Sequence, residues 1–245
     1  MLSKPVIKAF KQANCLTCGT RCHSDFQDLA GQNLSLLHSM KVSNVYKPGQ
    51  VLFYQGNPCL GLHCLQSGTV ALRKRNPAGD PVLVRLVHAG SALGSSALFS
   101  GGGYGVTAEA LTPCRVCFLD KAGLAQLMEQ SPGLARRFLT RMARDLEAAE
   151  EAHLRAASMT VRARVAALLL DLKDRFASVD DQGNLTFQLP LTRRDMASLV
   201  GTRPETIART IRALDQDGVA SFNGPRVMVP DLDALLDEVE LLQSA

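Results

Sequence analysis

The stretch from Leu191 to Val219, LTRRDMASLVGTRPETIARTIRALDQDGV, constrains this chain more than any other because it spells two short amphipathic helices joined by a glycine turn. Thr192 can cap the first helix with Asp195 three residues on, and Thr202 can cap the second with Glu205 at the same offset. In such a pair the hydroxyl accepts from the amide three residues later, and the carboxylate accepts from the capping residue's own amide, so two orphaned donors are satisfied. Gly201 allows the tight turn, while Ala197, Leu199, Val200, Ile207, Ile211 and Leu214 supply apolar positions that lock one helix on the other. The opposite face of the second helix carries Arg203, Glu205, Arg209 and Arg212, side chains able to reach base edges or phosphates in a major groove.

Val219 to Phe222 and Arg226 to Val229 flank Asn223-Gly224, a hairpin signal despite the extra Pro225, and this adds a wing to the helix-turn-helix. The expected DNA-facing set is therefore Thr192, Arg193, Thr202, Arg203, Glu205, Arg209, Arg212 and Arg226. Arg193, Arg194, Arg212 and Arg226 suit phosphate positioning.

Upstream, residues 29 to about 125 read as short strands punctuated by glycine turns. Val51 to Tyr54, Leu62 to Leu65, Val70 to Arg73, Val82 to Val87, Val106 to Ala110 and Arg115 to Leu119 are the candidates. So many short strands close around an interior more readily than they form a flat sheet, which predicts a β-roll or jelly-roll-like barrel. From Pro132-Gly133 to about Met159 no further proline or glycine interrupts a helical stretch. Leu139, Met142, Leu146, Ala149, His153 and Ala156 recur at alternating three- and four-residue steps, one edge of a parallel coiled-coil contact that needs a partner helix. Packing of that stripe on its own barrel is the competing reading. A two-fold dimer would place two recognition helices about 34 Å apart, the spacing of palindromic DNA half-sites.

The chain has 245 residues, 46% hydrophobic content and a formal charge of +4, ordinary for a globular protein of one or two domains. No apolar run approaches membrane-spanning length, and the first residues lack a signal-peptide core, so a cytoplasmic protein without membrane contact is expected. In a reducing compartment its seven cysteines are not expected to form a disulfide framework. Cys15, Cys18 and Cys22 crowd the amino terminus and invite a metal. Cys15-x-x-Cys18 is equally compatible with redox activity or zinc. Cys64 and Cys117 lie in strand-like apolar contexts, where free cysteine acts as a small buried hydrophobe, the role expected of Cys64. His63, His88 and His153 form no catalytic set with the acidic residues, and no enzyme is expected.

The passage KPGQVLFYQGNPCLGLHCLQSGTVALRKRNPAGDPVLVRLVHAGSALG, the long helix before residue 160 and GTRPETIARTIRAL together resemble the CRP/FNR superfamily of bacterial transcription regulators. The resemblance implies an α+β fold: a cyclic-nucleotide-binding-like β-roll or jelly-roll barrel, a long dimerisation helix and a carboxy-terminal winged helix-turn-helix. It divides the chain into a cysteine-bearing arm at 1–28, a β-roll sensor domain at 29–130, a dimerisation helix at 131–160, a DNA-binding domain at 161–235 and a tail at 236–245. Homodimers, palindromic promoter DNA, RNA polymerase and a nucleoid location when DNA-bound are the implied associations. Glu205 and Arg209 match the base-contacting pair shared by the superfamily, and Ala208 replaces the serine common in its FNR branch.

Residues 90–111 contain no arginine, so the charge-assisted partner of a cyclic phosphate is missing and cAMP binding is not expected. The oxygen-sensing FNR branch fits the cysteines better. It implies a [4Fe-4S] cluster held by Cys15, Cys18 and Cys22 from the arm and by Cys117 from the barrel, responsive to oxygen, redox state or nitric oxide. The gap between Cys18 and Cys22 is shorter than in that branch, and Cys59 and Cys114 stand as substitute ligands. The alternative is a regulator controlled by thiol oxidation, structural zinc or a small ligand in the barrel.

Overall fold

The computed structural model describes residues 14–240. Two short 3-10 turns, Cys15–Thr17 and Arg21–His23, precede helix α1 (Gly31–Met40). Eight strands follow: β1 (Val42–Tyr46), β2 (Val51–Phe53), β3 (Gly61–Ser67), β4 (Thr69–Arg75), β5 (Pro81–His88), β6 (Ala92–Leu93), β7 (Thr107–Ala110) and β8 (Cys114–Asp120), with helix α2 (Ser95–Ser100) between β6 and β7. They form two antiparallel four-stranded sheets, ordered β1-β8-β3-β6 and β2-β7-β4-β5. This is the barrel expected from the sequence, with β1 and the two-residue β6 added.

Alternation along β3 and β8 sorts their side chains onto two faces. Leu65 and Val116 enter the core between the sheets with Phe53, Val70, Leu72 and Tyr104. Phe53 stacks on Tyr104 with ring centroids 3.9 Å apart, and His63 lies 5.1 Å from Phe53, so aromatic rings pack in the core between the two sheets. Burial pushes the His63 imidazole down to about 4, and its Nδ1 has no hydrogen-bond partner. The opposite face, with Leu62 and Leu119, packs against Cys15, Phe26 and helices α1, α3 (Lys121–Gln130) and the start of α4 (Pro132–Ser158).

Helix α4 runs 27 residues with a proline in its first turn, where the missing amide costs nothing. Leu134 and Phe138 bury against the barrel. Beyond them the apolar stripe has no partner among the described residues: Leu139, Leu146 and Leu154 are 68, 60 and 57% exposed, and Ala149, His153 and Ala156 are exposed too, while Met142 is half-buried. Packing on its own barrel therefore accounts only for the first turns.

The carboxy-terminal domain comprises α5 (Val161–Phe176), β9 (Ala177–Val179), β10 (Leu185–Gln188), α6 (Arg193–Val200), α7 (Pro204–Gln216), β11 (Ser221–Asn223), β12 (Arg226–Val229) and α8 (Leu232–Glu240). The wing hairpin joins a sheet ordered β11-β12-β10-β9, and the turn between its strands is Gly224-Pro225 rather than Asn223-Gly224, since Asn223 pairs with Arg226. Helix α8 extends to Glu240, and its Leu235 belongs to the same core as Val165, Leu169, Ile207, Leu214 and Val229. Among the described residues no helix is long and apolar enough to cross a membrane.

Candidate functional site

The helix-turn-helix is built as its sequence requires at α6 and differently at α7. Thr192 Oγ1 accepts from the Asp195 amide at 3.1 Å and Asp195 Oδ2 accepts from the Thr192 amide at 3.0 Å, a complete capping box. Gly201 closes α6 at φ +71, a left-handed conformation that glycine adopts without strain. Helix α7 starts later than expected. Its N-cap is Arg203, with no side-chain cap, and Pro204 occupies the first turn. The expected Thr202–Glu205 capping box is therefore replaced by proline, whose fixed φ and absent N–H make a side-chain cap less necessary.

Ile207, Ile211 and Leu214 bury the inner face of α7, which leaves Arg203, Glu205, Arg209 and Arg212 exposed on its outer face. Thr192 and Arg226 are exposed as well, and Thr202 is half-buried. Arg193 is placed differently from a phosphate clamp: it is half-buried, with its guanidinium 5.1 Å from the centre of the Phe222 ring. Arg194 pairs with Asp80 of the barrel at 3.2 Å.

Among the described residues, Arg194 makes one of two ionic ties between barrel and DNA-binding domain. In the other, Arg73 on β4 binds Glu109 on β7 through Nε at 2.8 Å and Asp195 through Nη1. Leu86 of β5 packs against the DNA-binding core, and the His88 ring lies 6.0 Å from Phe176. Burial, aided by the nearby Arg175 charge, pushes His88 down to about 4.

The second site lies under the arm. Cys15 and Cys18 from the arm and Cys64 and Cys117 from the sheet line one cavity of about 50 Å³, together with Arg21, Asp25, Lys41 and Gln66. Arg21 shapes the arm by donating to the carbonyls of Cys15, Phe26, Gln27 and Leu29. Thr20 Oγ1 donates to the Gln66 carbonyl at 2.8 Å, and Gln66 Nε2 donates to Cys18 Sγ at 3.4 Å, which seats the arm on β3. Ser43 Oγ lies 3.5 Å from Cys117 Sγ. All cysteines here are free thiols. Burial pushes Cys15 up to about 11 and also raises Cys64 and Cys117, so these thiols are protonated at neutral pH as they stand.

Cys22 does not join them. It is exposed and its thiol donates to the Gly19 carbonyl at 2.7 Å. On the 3-10 turn it occupies, successive residues step by about 120°, so Arg21 and Ser24 share the cavity side and Cys22 is carried off it. Cys59 and Cys114, the substitute candidates, are buried within the barrel core. Cys64 packs against the apolar cluster under the arm, as expected of a small covered hydrophobe, and also lines the cavity, because Leu62 with Leu119 and Cys64 with Cys117 are opposite pairs on the outer face of β3 and β8.

Asp25 links this cavity to α4. It is 6% exposed, and its Oδ1 accepts from Arg141 Nε at 2.7 Å while its Oδ2 has no partner. Arg141 also donates to the Gly90 carbonyl, and Arg137 pairs with Asp28. Burial raises the Asp25 carboxyl, partly offset by Arg141.

Known proteins share both halves of this architecture. Residues 43–131 match the cyclic nucleotide-binding domain family, and residues 163–238 match the Crp-like helix-turn-helix domain family. The chain belongs to the CRP/FNR superfamily. CRP/FNR relatives include the transcriptional activator protein FnrL of Cereibacter sphaeroides, 28% identical over 91% of this chain and 91% of that protein. The cAMP-activated global transcriptional regulator CRP of Salmonella typhimurium is 26% identical over 75% of this chain and 87% of its own length. A solved CRP/FNR-family regulator from Thermus thermophilus superposes with a TM-score of 0.70 at 26% identity, covering 81% of this chain and 98% of that one. The protein is thus a DNA-binding CRP/FNR transcription regulator and not an enzyme.

Proposed function

We propose that this CRP/FNR regulator senses oxygen, nitric oxide or redox state at the thiol-lined cavity and responds through the geometry of a homodimer on palindromic promoter DNA. One observation carries the reading: thiols from the arm and thiols from the sheet line one cavity, whose Asp25 accepts from Arg141 of α4. The donor set fits an iron–sulfur group. The cavity walls are largely apolar, and Arg21 and Lys41 offer positive charge to an anionic thiolate cluster. Among the described residues no three His, Cys, Asp or Glu side chains stand close enough to share one ion. A zinc ion would need sulfurs at about 2.3 Å from one centre, whereas a four-iron group holds its thiolates further apart.

When bound, a [4Fe-4S] cluster would supply oxygen-labile iron and sulfide. The residues around it convert the state of the cavity into a position of α4. Asp25 lines the cavity and grips Arg141, so a displaced arm pulls on the helix that carries Leu139, Met142, Leu146, Ala149, His153 and Ala156. That stripe is the dimer surface in this reading. Two packings of α4 need differ by only a few kcal/mol for a local change to select between them. Glu205 accepts from cytosine N4 and Arg209 pairs with guanine, with Arg203, Arg212 and Arg226 on flanking bases or phosphates. RNA polymerase is the expected partner at the promoter.

The barrel does not favour the cyclic-nucleotide reading, since residues 90–111 lack arginine. Anaerobic purification tests the proposal. About four iron and four sulfide per chain, with palindromic-DNA binding that changes on exposure to air, supports it. Colourless zinc-bound protein, or equal DNA binding and subunit state in anaerobic and aerated samples, overturns it.

A further inference from the structure

We infer that Cys64 completes the thiolate set with Cys15, Cys18 and Cys117, and that Cys22 is not a ligand. The inference rests on the reading of the cavity as an iron–sulfur site and goes on to assign its ligands.

Cys64 and Cys117 are register partners in the antiparallel β3–β8 pair. Directly opposite residues present their side chains on the same face with Cβ atoms about 4.5–5.5 Å apart. Both line the cavity under the arm. The arm is seated on β3 rather than beyond it, because Thr20 and Cys18 bond to Gln66, two residues after Cys64 on the same face of the strand. The cavity thus receives two thiols from a rigid sheet and two from the arm. Cys22, in contrast, donates its proton to the Gly19 carbonyl and opens to solvent. Bringing it inward would require unwinding the turn that Arg21 ties to four arm carbonyls. The sulfurs also have outer partners: Gln66 donates to Cys18, and Ser43 Oγ is in reach of Cys117. Such hydrogen bonds orient metal-bound thiolates and tune their redox potential. Ligation breaks each S–H bond, forms a sulfur–iron bond and passes the proton to bulk water, with no change in the oxidation state of the cysteines.

The experiment compares the full-length protein with Cys22→Ser, Cys64→Ala, Cys64→Val and Cys117→Ala, all purified without oxygen. Iron and acid-labile sulfide per chain, visible absorption and electron paramagnetic resonance after reduction are the readouts, with far-UV circular dichroism to establish folding. Cys22→Ser is expected to keep the full iron and sulfide content. Cys64→Ala, Cys64→Val and Cys117→Ala are expected to lose at least half of it while remaining folded; the valine variant refills the space of the lost sulfur. Retention in either folded Cys64 variant, or loss in Cys22→Ser, overturns the assignment and leaves the cluster itself standing. An unmodified protein without iron, or one whose mass spectrum shows a Cys64–Cys117 disulfide in its place, removes the underlying reading instead.

Discussion

Replacing Arg73 with methionine asks whether the barrel grips the DNA-binding domain through a single carboxylate. One oxygen of Asp195 accepts from Arg73, and the other accepts from the amide and hydroxyl of Thr192 at 3.0 and 2.7 Å. The group that closes the α6 capping box therefore also ties α6 to β4. The Asp195 side chain is 7% exposed and that of Arg73 17%, so loss of the guanidinium strands a carboxylate in a nearly dry place. Removing one member of a buried pair costs about 3–5 kcal/mol. Thr192 still supports one oxygen and Glu109 lies near enough to solvent to rehydrate, which lowers the expected cost to about 2–3 kcal/mol. Asp195→Asn keeps an oxygen for Thr192 and needs no cation, so the double variant should recover about 1–2 kcal/mol, within the range for residues in one network. Urea unfolding of the reduced protein and its three variants supplies the cycle. Burial alone would raise the Asp195 carboxyl, yet the bonds from Arg73 and Thr192 hold it below its ordinary 3.8. Its stabilisation is present above that pH and is lost as pH falls through the lower folded value, so Arg73→Met should flatten this acid-side loss. A single-variant cost under about 0.5 kcal/mol, or strictly additive costs in the cycle, would refute the contact and with it this docking of the two domains.

Glu205→Ala and Arg209→Ala should each cost about 1–3 kcal/mol of discrimination between the cognate half-site and one mutated at the contacted base, measured by fluorescence anisotropy; equal selectivity would remove them from base reading. Leu146→Glu places a charge in the exposed α4 stripe and should shift the protein toward monomer in sedimentation at unchanged circular dichroism, whereas an unaltered dimer would move the interface elsewhere. His63 is neutral and buried in the fold but takes a proton near 6.5 when unfolded, so stability should fall between pH 6.5 and about 4. The loss from this group is on the order of 3 kcal/mol at most; because His88 is pushed down to about 4 as well, His63→Phe should make the slope shallower rather than abolish it, and an unchanged slope would refute the assignment. Because burial raises the Asp25 carboxyl, its contribution to stability is present at low pH and lost as pH rises through its folded value. Asp25→Asn should thus keep the iron content and the fold at neutral pH while narrowing the difference in DNA affinity between iron-loaded and iron-free protein; an undiminished difference would rule Asp25 out as the link to α4.

The amino-acid sequence by itself determined whatever depends on neighbours a few residues apart. The Thr192–Asp195 capping box, the left-handed Gly201 and the spacing of Ile207, Ile211 and Leu214 are all local patterns, and each stands in the structure as written. The start of α7 departs from its local pattern, because Pro204 rather than a Thr202 cap sets the first turn. Tertiary structure alone decided the contacts that join remote segments: Thr20 with Gln66, Asp25 with Arg141, and Arg73 with Asp195, separated by 46, 116 and 122 residues. It also decided which thiols meet. An apolar strand pattern says that Cys64 is covered but not by what, and the cover is the cysteine-bearing arm rather than the barrel core. Cys22, close to Cys18 in sequence, was turned away by the pitch of one short helical turn. Side-chain periodicity fixes the face a residue occupies, whereas strand register and arm docking, set by the folded chain as a whole, fix what that face meets.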